Sequence, residues 1–309
     1  MKDPIQEYLE AYRKVFEREI ENRKRALELD LEVANLGVDV IEKGARKLLA
    51  QHGVNIAELE KSNAQLSKKL AERVSKVDEK LSQAPENFEK GRRHGLRLVR
   101  QQVAACPQTK DPCIHPPVAI FNDISGPCHN GCTVEVANDT LLGRVYPVLT
   151  MRGTGWNRMR TGEIYCEYIW AFYAPSTGRY LVNPFLEFHG RIVQTREYHC
   201  YADTSGTGWS YRLTMGHAQP GTPVPSPIFE DMEGTLPGIG GTFRYDGDRT
   251  PNYMPFLLGG HLTYIHVGLT FRVSARSRYA SVGINFGDPR EDNYIAIDPL
   301  CYSLPGTWP

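Results

Sequence analysis

The hydrophobic period changes once along this chain, and that change limits the fold more than any other feature. Leu27, Leu31, Ala34, Val38, Ile41, Ala45 and Leu48 recur in alternating steps of four and three, which puts them on one stripe of a helix with a heptad repeat. From about Val118 the period is two. Ile265, Val267, Leu269, Phe271, Val273 and Ala275 alternate with Tyr264, His266, Thr270, Arg272, Ser274 and Arg276, as on the two faces of a long strand. The expected class is therefore α+β multidomain: an N-terminal helical or coiled-coil segment followed by an all-β antiparallel sandwich of jelly-roll type. The divisions follow the pattern: a helical module over 1–103, a cysteine-rich junction over 104–132 and a β-sandwich over 133–309.

Charge and aromatics divide at the same place. Residues 1–100 hold 21 Lys/Arg and 18 Asp/Glu, against 33 charged residues in the other 209. The aromatics of the first hundred residues are Tyr8, Tyr12, Phe16 and Phe88, and all four tryptophans lie beyond them. With 36 basic and 36 acidic residues overall, no global field draws in nucleic acid, and none is expected as a partner. Met1-Lys2-Asp3-Pro4 leads into charged sequence with no apolar core, so no signal peptide is expected, and release by a non-classical route stays open. Seven cysteines, an odd number, fit a fully paired secreted framework poorly and favour a reducing compartment.

In the helical segment Ile5, Leu9, Tyr12, Phe16 and Ile20 extend the stripe upstream, with Arg23 the weak position between the two halves. The pattern predicts a helix from about 4 to 50, a turn at Gln51-His52-Gly53-Val54, and an N-cap at Asn55 with Glu58 three residues on. A second, stuttered heptad runs from Ile56 through Leu59, Leu66, Leu70, Val74, Val77 and Leu81, with Asn63 in a core-type slot. Pro85 ends it before a third piece to about Val103. The first helix outruns the second, so it either overhangs or breaks near Gly37 or Gly44. Narrow stripes seldom bury enough surface alone. The segment is expected to form a homo-oligomer through Leu31, Val38, Ile41, Leu48, Asn63, Leu66 and Leu70, the Asn63 amide helping to set register. An intramolecular hairpin is the plainer alternative. Charges interrupt the stripes every few residues, so membrane contact would need several chains around a wet pore. The basic run Lys90, Arg92, Arg93, His94, Arg97 and Arg100 is a sizeable single-sign patch, most simply a solvated helix face.

In the β part, strands are expected at 133–138, 144–151, 163–174, 179–182, 184–194, 209–215, 264–276, 279–286 and 293–298, with a long proline-rich loop over 219–241. Trp170 alternates with Ile164, Cys166, Tyr168 and Phe172 and belongs to the core. Trp156, Trp209, Tyr211, Tyr264 and Arg272 are the candidate ligand-binding residues, because flat rings stack on sugars and anchor protein interfaces. Tyr173, Tyr180 and Trp308 are further aromatics of that kind.

No cofactor is required, although structural zinc or calcium has candidate ligands. Cys113, His115, Cys128 and Cys132 carry zinc-type donors at the junction, where a disulfide among Cys106, Cys113, Cys128 and Cys132 or free thiols compete with a metal. Glu187 and His189 share a strand face, and with His199 and His266 make a two-histidine-carboxylate set conceivable. Asp246, Asp248, Asp288, Glu291 and Asp292 offer oxygen ligands of the kind calcium takes. No nucleophile elbow, phosphate-cradling loop or paired-carboxylate signature stands in a supporting context. The expectation is a non-enzymatic binding protein whose helical module oligomerises and whose sandwich recognises a carbohydrate or a protein surface. The alternative is a toxin-like protein whose helices rearrange at a membrane.

Overall fold

The structure is a computed structural model, and it describes residues 3–58, 61–62, 65, 113–114, 116–126, 132–153, 158–195, 206–219, 228–234, 240–249, 251–276, 280–287 and 293–303. Helix α1 spans Pro4–Asn35. Pro4 at its first position suits a site whose N–H has no helical partner, and the Asp3 carboxylate accepts the Ile5 N–H at 3.0 Å. The break comes at Gly37, not Gly44. Gly37 takes φ +78°, a left-handed conformation that glycine adopts without steric cost, and α2 restarts over Val38–Gln51. The turn at 52–54 and the Asn55 cap are both present, with the Glu58 N–H donating to Asn55 Oδ1 at 3.2 Å. No helix among the described residues is long and apolar enough to cross a membrane.

Among the described residues fourteen strands follow: β1 Cys113–Ile114, β2 Ala119–Ile124, β3 Cys132–Asp139, β4 Arg144–Arg152, β5 Met159–Tyr173, β6 Gly178–Arg179, β7 Leu181–Thr195, β8 Gly206–Ala218, β9 Ile228–Gly234, β10 Gly240–Arg249, β11 Phe256–Leu257, β12 Leu262–Arg276, β13 Ser281–Asn285 and β14 Tyr294–Ser303. All named pairs are antiparallel. A seven-stranded sheet runs β1-β14-β4-β13-β7-β10 with β3 on β4, and a five-stranded sheet runs β2-β5-β12-β8-β9. Between them Trp170, Tyr168, Phe188, Tyr211, Phe271 and Phe286 centre one core, so the chain is a helix followed by a β-sandwich. Gly190 leaves room for the Phe286 ring against β7.

Three local expectations change. The 219–241 loop contains β9 and the start of β10, whose Gly240 and Gly241 pair with Thr195 and Gln194, because backbone pairing overrides a glycine-rich composition that reads as a loop. Residues 113–124, placed in the junction, supply one strand to each sheet. Cys113 bonds to Cys301, a partner 188 residues away that lies directly opposite it in the β1–β14 register. No local spacing reports such a pair. Cys132 is also disulfide-bonded, so neither thiol is a zinc ligand, while His115 and Cys128 lie outside the described residues. Disulfides persist in oxidising surroundings, so the reducing compartment inferred from the odd cysteine count does not fit these bonds.

The larger correction concerns α1. Its stripe meets the outer face of the five-stranded sheet, packing on β5 and β2 with Phe16, Ile20 and Leu27 buried, and a coiled coil is not what it forms here. Thr161 to Trp170 of β5 are consequently buried without interruption, one side chain facing the core and the next facing the helix. Leu31 and Val38 are half-buried, whereas Ile41 and Leu48 are 65% and 58% exposed. Asn63, Leu66 and Leu70 lie outside the described residues, as does the basic run at 90–100.

Candidate functional site

The sheet face under α1 is polar, which is unusual for a surface that a helix covers. Alternation along β5 turns Glu163, Tyr165 and Glu167 outward, and along β12 it turns out Tyr264, His266, Thr270, Arg272 and Ser274. Antiparallel register sets Arg272 opposite Glu163 and Thr270 opposite Tyr165. The helix answers these groups one by one, through residues three or four apart on a single face.

Near its N-terminus the Tyr8 ring stacks on Tyr264 at 3.5 Å with an interplanar angle of 7°, and the Tyr264 hydroxyl donates to the Pro4 carbonyl at 3.1 Å. Tyr12 donates to Glu167 Oε1 at 2.7 Å and Tyr165 to Glu167 Oε2 at 3.2 Å. His266 Nδ1 lies 3.0 Å from Glu167 Oε1 and its Nε2 lies 2.8 Å from the Tyr8 hydroxyl. A carboxylate only accepts, so His266 donates its Nδ1 proton to Glu167, and its Nε2 faces the Tyr8 hydroxyl. Burial, then the neighbouring Glu167 charge, raises the hydroxyl pKa of Tyr8, Tyr12 and Tyr165 above that of a free tyrosine, which keeps them as donors.

About three turns further on, Arg23 closes a second network. It donates to Thr270 Oγ1 at 3.1 Å and to Glu19 at 2.9 Å, sits over the Tyr165 ring at 4.1 Å, and lies 3.6 Å from Glu163 Oε1. Glu163 is deeply buried, with Ser125 donating to Oε1 at 2.8 Å and Arg272 donating to Oε2 through Nε at 2.9 Å and Nη2 at 2.7 Å. A buried charge with this many partners is fully compensated.

Past Arg23 a cleft of about 460 Å³ lies between the helix and the sheet. The helix side supplies Leu27, Leu31 and Ala34 with the Asp30 carboxylate, and the sheet side supplies Met159 and Arg272 with the hydroxyls of Thr161, Ser210 and Ser274. Gly208 lies in the floor opposite Ser274, where a Cβ would come 2.9 Å from the Ser274 hydroxyl. Asn35 pins the far end, exchanging hydrogen bonds with the Met159 backbone at 2.8 and 3.0 Å.

The structure sorts the candidate ligand-binding residues. Arg272 lines the cleft with 46% of its side chain exposed. Trp209 contributes to the same wall, but its ring packs at 5.5 Å on Tyr245 and is no free platform. Tyr211, 2% exposed, belongs to the core, because its position on β8 points between the sheets. Tyr264, 4% exposed, lies beneath Tyr8. Trp156 is outside the described residues. Of the other aromatics, Tyr180 is buried, Tyr173 is exposed and Trp308 is outside the described residues.

The conceivable metal set does not assemble: Glu187 and His189 lie on the seven-stranded sheet, 4.0 Å apart, while His266 is on the other sheet, bonded to Glu167. His199, Asp288, Glu291 and Asp292 are outside the described residues, and no three metal-binding side chains gather among the described ones. Sequence reasoning missed Tyr8, Tyr12, Arg23, Glu163 and Glu167. The available signal was three aromatics in one charged helix, with an arginine at a stripe position.

No protein-family model matches the chain, and no curated protein matches it. Solved structures with a similar course of the backbone include TmCBM61 in complex with β-1,4-galactotriose, at 10% sequence identity and a TM-score of 0.18 over 59% of this chain and 91% of that one. The family 11 carbohydrate-binding module from Clostridium thermocellum in complex with a β-1,3-1,4-mixed-linked tetrasaccharide gives 8% and 0.19 over 57% and 96%. The enzymatically active domain of bacteriophage CBA120 tailspike protein 4 gives 12% and 0.18 over 58% and 19%. Likenesses at these scores carry no argument about ligand or activity.

Proposed function

We propose that the chain is a non-enzymatic binding protein whose β-sandwich takes a carbohydrate in the cleft between the end of α1 and the five-stranded sheet. The observation that carries this reading is the mixed chemistry of the cleft. A sugar ring has C–H faces and a rim of hydroxyls; the cleft sets the apolar groups of Leu27, Leu31, Ala34 and Met159 beside the hydroxyls of Thr161, Ser210 and Ser274 and the charges of Asp30 and Arg272. The absence of a catalytic role in this reading rests on commitment. Glu163 and Glu167, the buried carboxylates of the sheet face, are already held by Ser125 and Arg272 and by Tyr12, Tyr165 and His266, and Asp30 has no second carboxylate beside it among the described residues that line the cleft.

Calorimetry of the full chain against a panel of oligosaccharides tests the proposal. Binding is expected for the wild type and a loss of about tenfold or more for Asp30→Ala combined with Ser274→Phe, which removes one polar contact and fills the cleft. A panel that yields no ligand, or a protein partner whose binding ignores both substitutions, overturns it. Self-association is a separate part of the proposal and attaches to the outer side of the helices, where Val33, Leu36, Val40, Ile41 and Leu48 are exposed. Light scattering that reports a monomer at all concentrations removes that part.

A further inference from the structure

We propose that the first half of α1, residues 4–23, is a reversible cover, and that the sheet face beneath it continues the open cleft as one longer surface for a saccharide chain. This rests on the carbohydrate reading above.

The sandwich is complete without the helix. No α1 residue belongs to the main core; Phe16 and Ile20 form a small separate cluster with Tyr165. Residues 36–112 lie between α1 and β1 in the chain. The helix also carries its own supports away from the sheet, the Asp3 cap and the Glu21–Lys24 and Gln6–Glu10 contacts.

What holds the cover is chemistry that a saccharide reproduces. Tyr8 offers a ring to the face of Tyr264, and Tyr8 and Tyr12 offer hydroxyls to His266 and Glu167. A chain of sugar rings offers stacking faces and hydroxyl donors at a comparable repeat. The open and covered parts adjoin: Arg272 and Ser210 line both the cleft and a smaller void of about 90 Å³ that reaches Arg23 and Thr270. In this arrangement the cleft is the accessible end of a groove whose remainder the helix fills. Apparent affinity is then reduced by the fraction of molecules in which the helix is docked.

Two measurements on the full chain test this. In native-state hydrogen exchange, amides of residues 4–23 are expected to open about 100-fold or more often than those of β5 and β12. Equal protection in helix and strands at every denaturant concentration overturns the cover. Second, Tyr8→Ala with Tyr12→Ala is expected to raise affinity for short β-linked oligosaccharides about fivefold or more. Saturating saccharide is expected to speed exchange over residues 4–23 in the wild type. Slower exchange over those residues with saccharide bound, or affinity that is unchanged or lowered in the double variant, overturns the cover while leaving the cleft reading intact. If neither protein binds any saccharide, the carbohydrate reading falls and this inference falls with it.

Discussion

Arg23 shows what a single position does here. In the heptad it interrupts an apolar stripe; in the fold its guanidinium is the group that Thr270, Glu163 and the Tyr165 ring all face. Its stem crosses the apolar surface while its charge meets a carboxylate, so the position is interfacial and not defective. Tyr12 is the clearest test at this scale. Tyr12→Phe keeps the ring and removes one of three donors to the buried Glu167, and a loss of about 1–2 kcal/mol in chemical denaturation is expected. Docking also depends on pH. The pKa of Tyr8, Tyr12 and Tyr165 is raised in the folded chain, so the stability they confer is complete below the ordinary value of 10.0 and is lost as pH climbs above it. Circular dichroism across an alkaline titration, with tyrosinate absorbance in parallel, is expected to show destabilisation beginning above that value. A chain whose tyrosines all ionise near 10 without loss of structure contradicts the burial of this cluster. These residues were legible as types and not as a site, because their partners on β5 and β12 are more than a hundred residues away.

At the level of elements, both periods were legible and their partners were not. The core face of β12 reads directly from alternation, and every residue assigned to it is in the core. Its other face reads as solvent-facing for the same reason, since alternation reports polarity and says nothing of which polar surface another element covers. Burial of Phe16, Ile20 and Leu27 contributes about 5–9 kcal/mol of gross transfer energy, an upper bound before the ordering of the helix is subtracted. The loop after β2 sets how closely α1 approaches. Ser125 and Gly126 donate their N–H groups to the Glu163 carbonyl, and a Cβ on Gly126 would lie 2.7 Å from both the Glu163 nitrogen and the Leu27 side chain. Gly126→Ala is expected to cost about 1–3 kcal/mol and to loosen α1 preferentially, which exchange rates over residues 4–35 would report. Unchanged α1 protection in that variant contradicts the close packing.

For the whole molecule the Cys113–Cys301 bond joins the first strand to the last and closes 188 residues of chain. Chain-entropy arguments put its stabilisation at about 5 kcal/mol at most. Cys113→Ser with Cys301→Ser is expected to lower the denaturation midpoint accordingly while leaving the strand content of the native state unchanged, and an unaltered midpoint would show that the bond does not form. The sequence alone determined the order of parts, a helix from about residue 4, the turn and Asn55 cap that follow residue 50, and an antiparallel β-sandwich with Trp170 in its core. These follow from local propensity and from the spacing of apolar residues, which neighbours along the chain carry. Only the tertiary structure decided that the helical stripe faces its own sandwich, that Cys113 meets Cys301, and that Arg272 stands in a cleft while Tyr264 and Tyr211 are covered. Each of these depends on which distant surface is nearest once the sheets have formed, and periodicity measured along the chain holds no distance across it.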